Sequence, residues 1–190
     1  MRKFLALAGC LTALSSVIAE PLTEKQMHEY HMVAPMMESV FTEFVEETPE
    51  TKKALQKAAF DFNDHATKLK LLRQLEHGSG FLAVAEAPMR QATGFDNADE
   101  WAAVGDRISC LRMGIFAVSM SAGMSGELSS EDMDQFPYYF SDSSKPADKR
   151  EKYTKMLTEF VEERGCTDVK DVSLYLNNVK RWDEMAQSDA

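Results

Sequence analysis

The chain has 190 residues, 31 of them acidic against 21 basic, for a formal charge of −10. That balance weighs against nucleic acid and against anionic membrane surfaces as partners, because both need basic patches. The length is enough for one domain with a proper core.

The first element is an export signal. Arg2 and Lys3 precede an apolar run from Phe4 to Leu14, and Val17-Ile18-Ala19 places small or modest residues where a signal peptidase reads. Residues 1–19 are expected to be a cleavable signal peptide, and residues 20–190 a single mature helical domain delivered to the periplasm or secreted. The run is too short to cross a bilayer. Its removal takes away Arg2 and Lys3 and leaves a formal charge of −12. The alternative is Leu7-Ala8-Gly9-Cys10, which has the form of a lipoprotein box and would leave Cys10 acylated. Only Phe4 to Ala8 precede that cysteine, less than the usual signal core of about 7–15 residues.

Processing after Ala19 leaves two cysteines, Cys110 and Cys166. In an oxidising compartment they are expected to form one disulfide, the alternative being two buried thiols. A bridge across this separation is worth about 4 kcal/mol on the chain-entropy account. No Cys-x-x-Cys is present to suggest redox catalysis.

Helical periodicity dominates the rest. Thr23 and Gln26 form a capping box that opens a first helix at Glu24, with Met27, Tyr30, Ala34, Met37, Phe41 and Phe44 as its apolar stripe. Pro35 predicts a kink or break within it. Thr48-Pro49-Glu50 signals a second start. The stripe Leu55, Ala58, Phe62, His65, Leu69, Leu72 follows, up to a glycine stop at His77-Gly78-Ser79-Gly80. A short apolar segment from Phe81 to Ala87 is expected to end at Pro88.

Asp96-Asn97 then caps the most apolar helix. Trp101, Val104, Ile108, Leu111, Ile115, Val118 and Ala122 line one face of it, and the small side chains Ala103, Cys110, Gly114 and Ala117 line a second. This is the expected central core helix. Its uncharged stretch from Met113 to Gly126 is too short for a transmembrane span. Ser129 or Ser130 opens a short helix limited by Pro137, and Ser141 to Ala147 reads as a linker. A helix from Asp148 to Arg164 stops at Gly165, and Thr167 is expected to cap the last one, which carries Val172, Leu176, Val179 and Ala186. No useful β-alternation appears. The fold class is therefore all-α, a single helical-bundle-like domain of about five to seven helices.

Two constellations bear on chemistry. Glu24, His28 and His31 fall on one helical face at steps of four and three, with Met32 close by, a donor set suited to copper or zinc. Three ligands fall short of the four a closed site takes. His65 interrupts an apolar stripe, with Asp61 one turn earlier, and a carboxylate-oriented histidine can act as a general base. A satisfied core histidine is the competing account.

Leu22-Thr23-Glu24-Lys25-Gln26 resembles the Leu-Thr-x-x-Gln signature of a family of small helical periplasmic stress chaperones, some of which bind metal. The resemblance covers five residues. A second copy, usual in that family, is degenerate here as Leu128-Ser129-Ser130-Glu131-Asp132.

Three functional readings follow in order. The first is an exported, non-enzymatic protein-interaction module (chaperone-, inhibitor- or immunity-like) whose partner is another protein in the periplasm. The second is a copper- or zinc-binding protein using Glu24, His28, His31 and Met32. The third is an enzyme built around Asp61 and His65. The first predicts an exposed apolar or acidic patch with adaptable methionine contacts, and no small-molecule pocket.

Overall fold

A computed structural model describes residues 20–44, 53, 64–75 and 77–188. The expected signal peptide 1–19, the start at Thr48-Pro49-Glu50 and the stripe residues Leu55, Ala58 and Phe62 lie outside the described residues, as does Asp61. The described part is all-helical. Its helices are α1 (Glu24–Phe44), α2 (His65–Gln74), α3 (Gly78–Ala92), α4 (Ala98–Met124), α5 (Ser130–Asp134), α6 (Phe136–Tyr139), α7 (Ala147–Arg164) and α8 (Lys170–Ser188). That is eight among the described residues, one more than the top of the expected range, because Pro137 starts a further single turn as well as limiting the one before it.

Several boundaries follow directly from local chemistry. The Thr23 amide donates to Gln26 Oε1 at 2.9 Å and the Gln26 amide to Thr23 Oγ1 at 3.1 Å, the reciprocal pair that opens α1. Asn97 accepts from the Glu100 amide at 3.0 Å and starts α4. Ser129 accepts from the Asp132 amide at 3.1 Å and starts α5. Gly165 ends α7 at φ 59°, a left-handed conformation that glycine adopts without steric cost.

Four expectations are corrected. The glycines at 78–80 do not stop a helix: α2 has already ended at Gln74, and they form the first turn of α3. Gly78 is there because a Cβ would stand 1.7 Å from the Leu72 carbonyl oxygen, so the chain can reverse this tightly only without a side chain. Pro88 does not end its helix, which runs on to Ala92; at Pro35, where a kink or a break is expected, α1 is not broken. Each proline removes one helical hydrogen bond, and each sits on an exposed side, where water can serve the carbonyl left over. Ala103 is exposed rather than part of a small-residue face. Finally, α8 starts at Lys170, capped by Asp168, whose Oδ1 accepts from the Lys170 amide at 2.8 Å; the Thr167 hydroxyl is used elsewhere.

The helix α4 lies at the centre and packs against α1, α2, α5, α6, α7 and α8. All seven residues of its expected apolar stripe are buried. Gly114 lets α7 come close, since a Cβ there would meet Leu157 Cδ1 at 2.4 Å. Trp101 on α4 and Trp182 on α8 are both fully buried in one continuous core, stacked on the adjacent rings of Tyr30 and His31. The disulfide Cys110–Cys166, with Cα atoms 6.1 Å apart, joins α4 to the loop before α8. No helix among the described residues is long and apolar enough to cross a membrane.

Candidate functional site

His65, the first residue of α2, lies beside α4 and is 2 % exposed. Asp106 of α4 accepts from the His65 amide at 2.6 Å, from the His65 ring Nδ1 at 3.0 Å and from the Ala66 amide at 3.3 Å. The carboxylate therefore serves the positive end of α2 as well as the ring. With Nδ1–H committed to Asp106, Nε2 accepts from the Tyr30 hydroxyl of α1 at 2.9 Å. Trp101 closes the site, edge-on to His65 and stacked on Tyr30. Burial pushes the Tyr30 phenol far above its ordinary pKa, against a smaller opposing pull from Arg112. Gly105 is obligatory beneath this group, because a Cβ would stand 2.7 Å from Tyr30 Cε2 and 3.0 Å from the His65 ring. Both His65 nitrogens are thus spent inside the core, and the group pins α1, α2 and α4 together.

The N-terminal His/Glu/Met set does not converge. Glu24 pairs with Arg181 of α8 at 2.8 Å. His31 turns inward, its Nδ1 donating to the Met27 carbonyl at 2.8 Å, with Arg112 Nη2 at 3.4 Å from Nε2 and Trp182 stacked on the ring at 5.3 Å. His28 is half-buried and Met32 exposed. Among the described residues no three His, Cys, Asp or Glu side chains are grouped so as to hold a metal ion.

A second buried polar centre has no counterpart in the sequence reading. Asp171 of α8 is 0 % exposed, and its Oδ1 accepts from the Leu22 amide at 2.7 Å. Its Oδ2 accepts from Arg107 Nη2 at 2.6 Å and from the Thr167 hydroxyl. Arg107 also donates to Thr167 Oγ1 at 3.1 Å and to the Glu20 carbonyl at 2.9 Å. Together these bonds clamp Glu20 and Leu22 onto α4 and α8, one helical turn from the disulfide. The signal was too dispersed to read, since Leu22 and Asp171 are 149 residues apart.

The outer face of α4 has a different character. Phe116, Met120 and Met124, each four residues from the next, are 59 %, 39 % and 79 % exposed, with half-buried Met113 on the same side. Phe116 also forms one wall of a cleft of about 300 Å³ between α4, the α5–α6 turn and α8. Ile115, Phe136, Pro137 and Val179 make it largely apolar, Ser119 and Tyr175 add hydroxyls, and Asp134 stands at its edge. Arg112 reaches the cleft but donates through Nε to the Tyr175 hydroxyl at 3.1 Å. Three large apolar side chains in a row on the surface are the kind of feature that marks a contact face.

No protein-family model matches this chain, and comparison with curated proteins and with solved structures gave no match.

Proposed function

We propose that this chain is an exported, non-enzymatic interaction module that binds another protein through the Phe116–Met120–Met124 stripe and the adjoining cleft. The observation that carries the reading is the exposure of these three side chains on a helix whose other large apolar residues, Met113 apart, are packed into the core. Methionine is flexible and polarizable and suits a surface that adapts to its partner. The two buried histidines work as core fasteners, which favours binding over catalysis. Export is supported by the disulfide, which fits an oxidising compartment. Processing after Ala19 is supported by the clamp on Glu20 and Leu22, because the domain's own contacts reach the first residue that cleavage would leave.

The test is site-specific photocrosslinking in the host's exported fraction, with the crosslinker at position 120 and, as control, at exposed position 159 of α7. A discrete adduct from 120 alone, lost when Phe116 and Met124 are both replaced by serine, is the expected result. Equal or absent crosslinking from the two positions overturns the reading. Intact mass from the same fraction checks export: a chain starting at Glu20 is expected, and a lipid on Cys10 overturns the cleavage site.

A further inference from the structure

We infer that the occupant of this face is a basic amphipathic helical segment of the partner, with one large apolar side chain in the cleft and its cations over Glu131 and Asp134. The inference rests on the reading of the stripe as a docking face and adds the chemistry of what docks. Met113, Phe116, Met120 and Met124 follow steps of three and four along one side of α4, a ridge about 16 Å long at 1.5 Å per residue. Ridges with this spacing are complementary to the groove of another helix. The cleft beside Phe116, about 300 Å³, is at the small end of ligand cavities, a size for a single bulky side chain.

Charge selects the sign of the partner. Residues 113–126 carry no charge at all. The neighbouring α5 supplies Glu131, Asp132 and Asp134. Asp132 is neutralised by Lys145 at 2.7 Å, and Glu127, just before α5, by Lys152 at 2.7 Å. Glu131 and Asp134 are exposed and have no ion pair among the described residues, so Asp134 at the cleft and Glu131, three residues before it on α5, stay uncompensated. The cleft's own cation, Arg112, is directed onto Tyr175 and His31. A chain of net charge −10 repels a second copy of itself and an anionic surface, and attracts a cationic segment.

The experiment titrates two synthetic amphipathic helices into the processed chain by calorimetry. Both carry the same leucine face, one with lysines and the other with glutamates on the polar face. The lysine peptide is expected to bind and to weaken about tenfold from low to high salt, with the glutamate peptide at least tenfold weaker. Glu131→Gln with Asp134→Asn should cost the lysine peptide about tenfold and leave the melting temperature unchanged, and Met120→Ser with Met124→Ser should weaken it similarly. Binding of both peptides alike, or indifference to the Glu131/Asp134 pair while the methionine pair still matters, overturns the basic occupant and leaves the docking face standing. A concentration-dependent dimer abolished by the methionine pair would make a second copy the occupant and also overturns the inference. If neither peptide binds, the inference falls; if the photocrosslink at position 120 is then also insensitive to the stripe, the docking reading falls with it.

Discussion

From Trp101 to Ile108, α4 turns its large side chains into neighbouring helices; from Phe116 to Met124 it turns three of them out to solvent. Both stretches are similarly rich in apolar residues, so apolarity alone does not decide which is covered. Coverage depends on what lies alongside. The first half is gripped by α1 and α2 through the Tyr30–His65–Asp106 bonds and by the Arg73–Asp99 pair at 2.6 Å. Beyond it, the cleft side is bounded by α8 and by α5 and α6, of only five and four residues, which leave an edge and a groove. The contrast places the buried bonds on the first half of α4 and leaves uncovered apolar side chains on the second.

The strongest challenge to that division is Asp171→Ala. It strands the Arg107 guanidinium and the Leu22 amide in a buried setting, and should cost about 3–5 kcal/mol in urea unfolding. A loss no greater than that of an ordinary surface substitution would dissolve the contrast. Replacing Cys110 and Cys166 together by serine comes next, at about 2–4 kcal/mol by the same measurement. His65→Ala leaves the Tyr30 hydroxyl and Asp106 without their shared partner and opens a cavity beneath Trp101, for a loss of about 2 kcal/mol.

Alkaline titration sharpens the same point. Burial, helped by the Glu127 carboxylate, pushes the Tyr153 phenol up to about 12, and burial pushes Tyr30 up as well. An unfolded tyrosine titrates near 10. Above that pH the unfolded chain releases protons that the folded chain retains, so their contribution is fully present below about pH 10 and lost as pH rises toward 12. Circular dichroism across that window should show the loss, and Tyr153→Phe should make it shallower. The smallest expected effect is on the bare half: Met120→Ser with Met124→Ser should change stability by less than about 1 kcal/mol, since Met124 is 79 % and Met120 39 % exposed. A large loss there would mean that the stripe serves the fold.

What could be read in the sequence was local in origin. The Thr23–Gln26 box, the Asn97 cap and the left-handed Gly165 each act within a few residues, and the seven-residue stripe of α4 follows from helical period. The cysteine pair was legible because only two cysteines, Cys110 and Cys166, follow residue 19. Misreadings arose where a residue's role depends on a distant or reversed segment. Gly78 looks like a stop and is instead a close approach to the Leu72 carbonyl, which only the reversal into α3 brings near. Thr167 looks like a cap, but its hydroxyl is taken by Arg107 and Asp171. For His65 the sequence suggests Asp61, one turn earlier, as the orienting carboxylate, whereas its ring is held by Asp106, forty-one residues away, and by Tyr30, thirty-five away on the other side. The exposed stripe carries no local signal, because Phe116, Met120 and Met124 are as apolar as the buried residues between them and only the packing around α4 decides which stay uncovered.

The disulfide also changes what a cut in the chain can do. The loop between α6 and α7 is exposed at Ser141, Ser143, Ser144 and Pro146, which makes it a natural point of attack for a protease. It lies between Cys110 and Cys166, so a single nick there leaves two fragments still covalently joined. On a gel such a molecule would run as one intact band until reductant is added, then separate into two. In a compartment that keeps the bond oxidised, a nicked copy would keep α7 and α8 tethered to the central helix instead of shedding them.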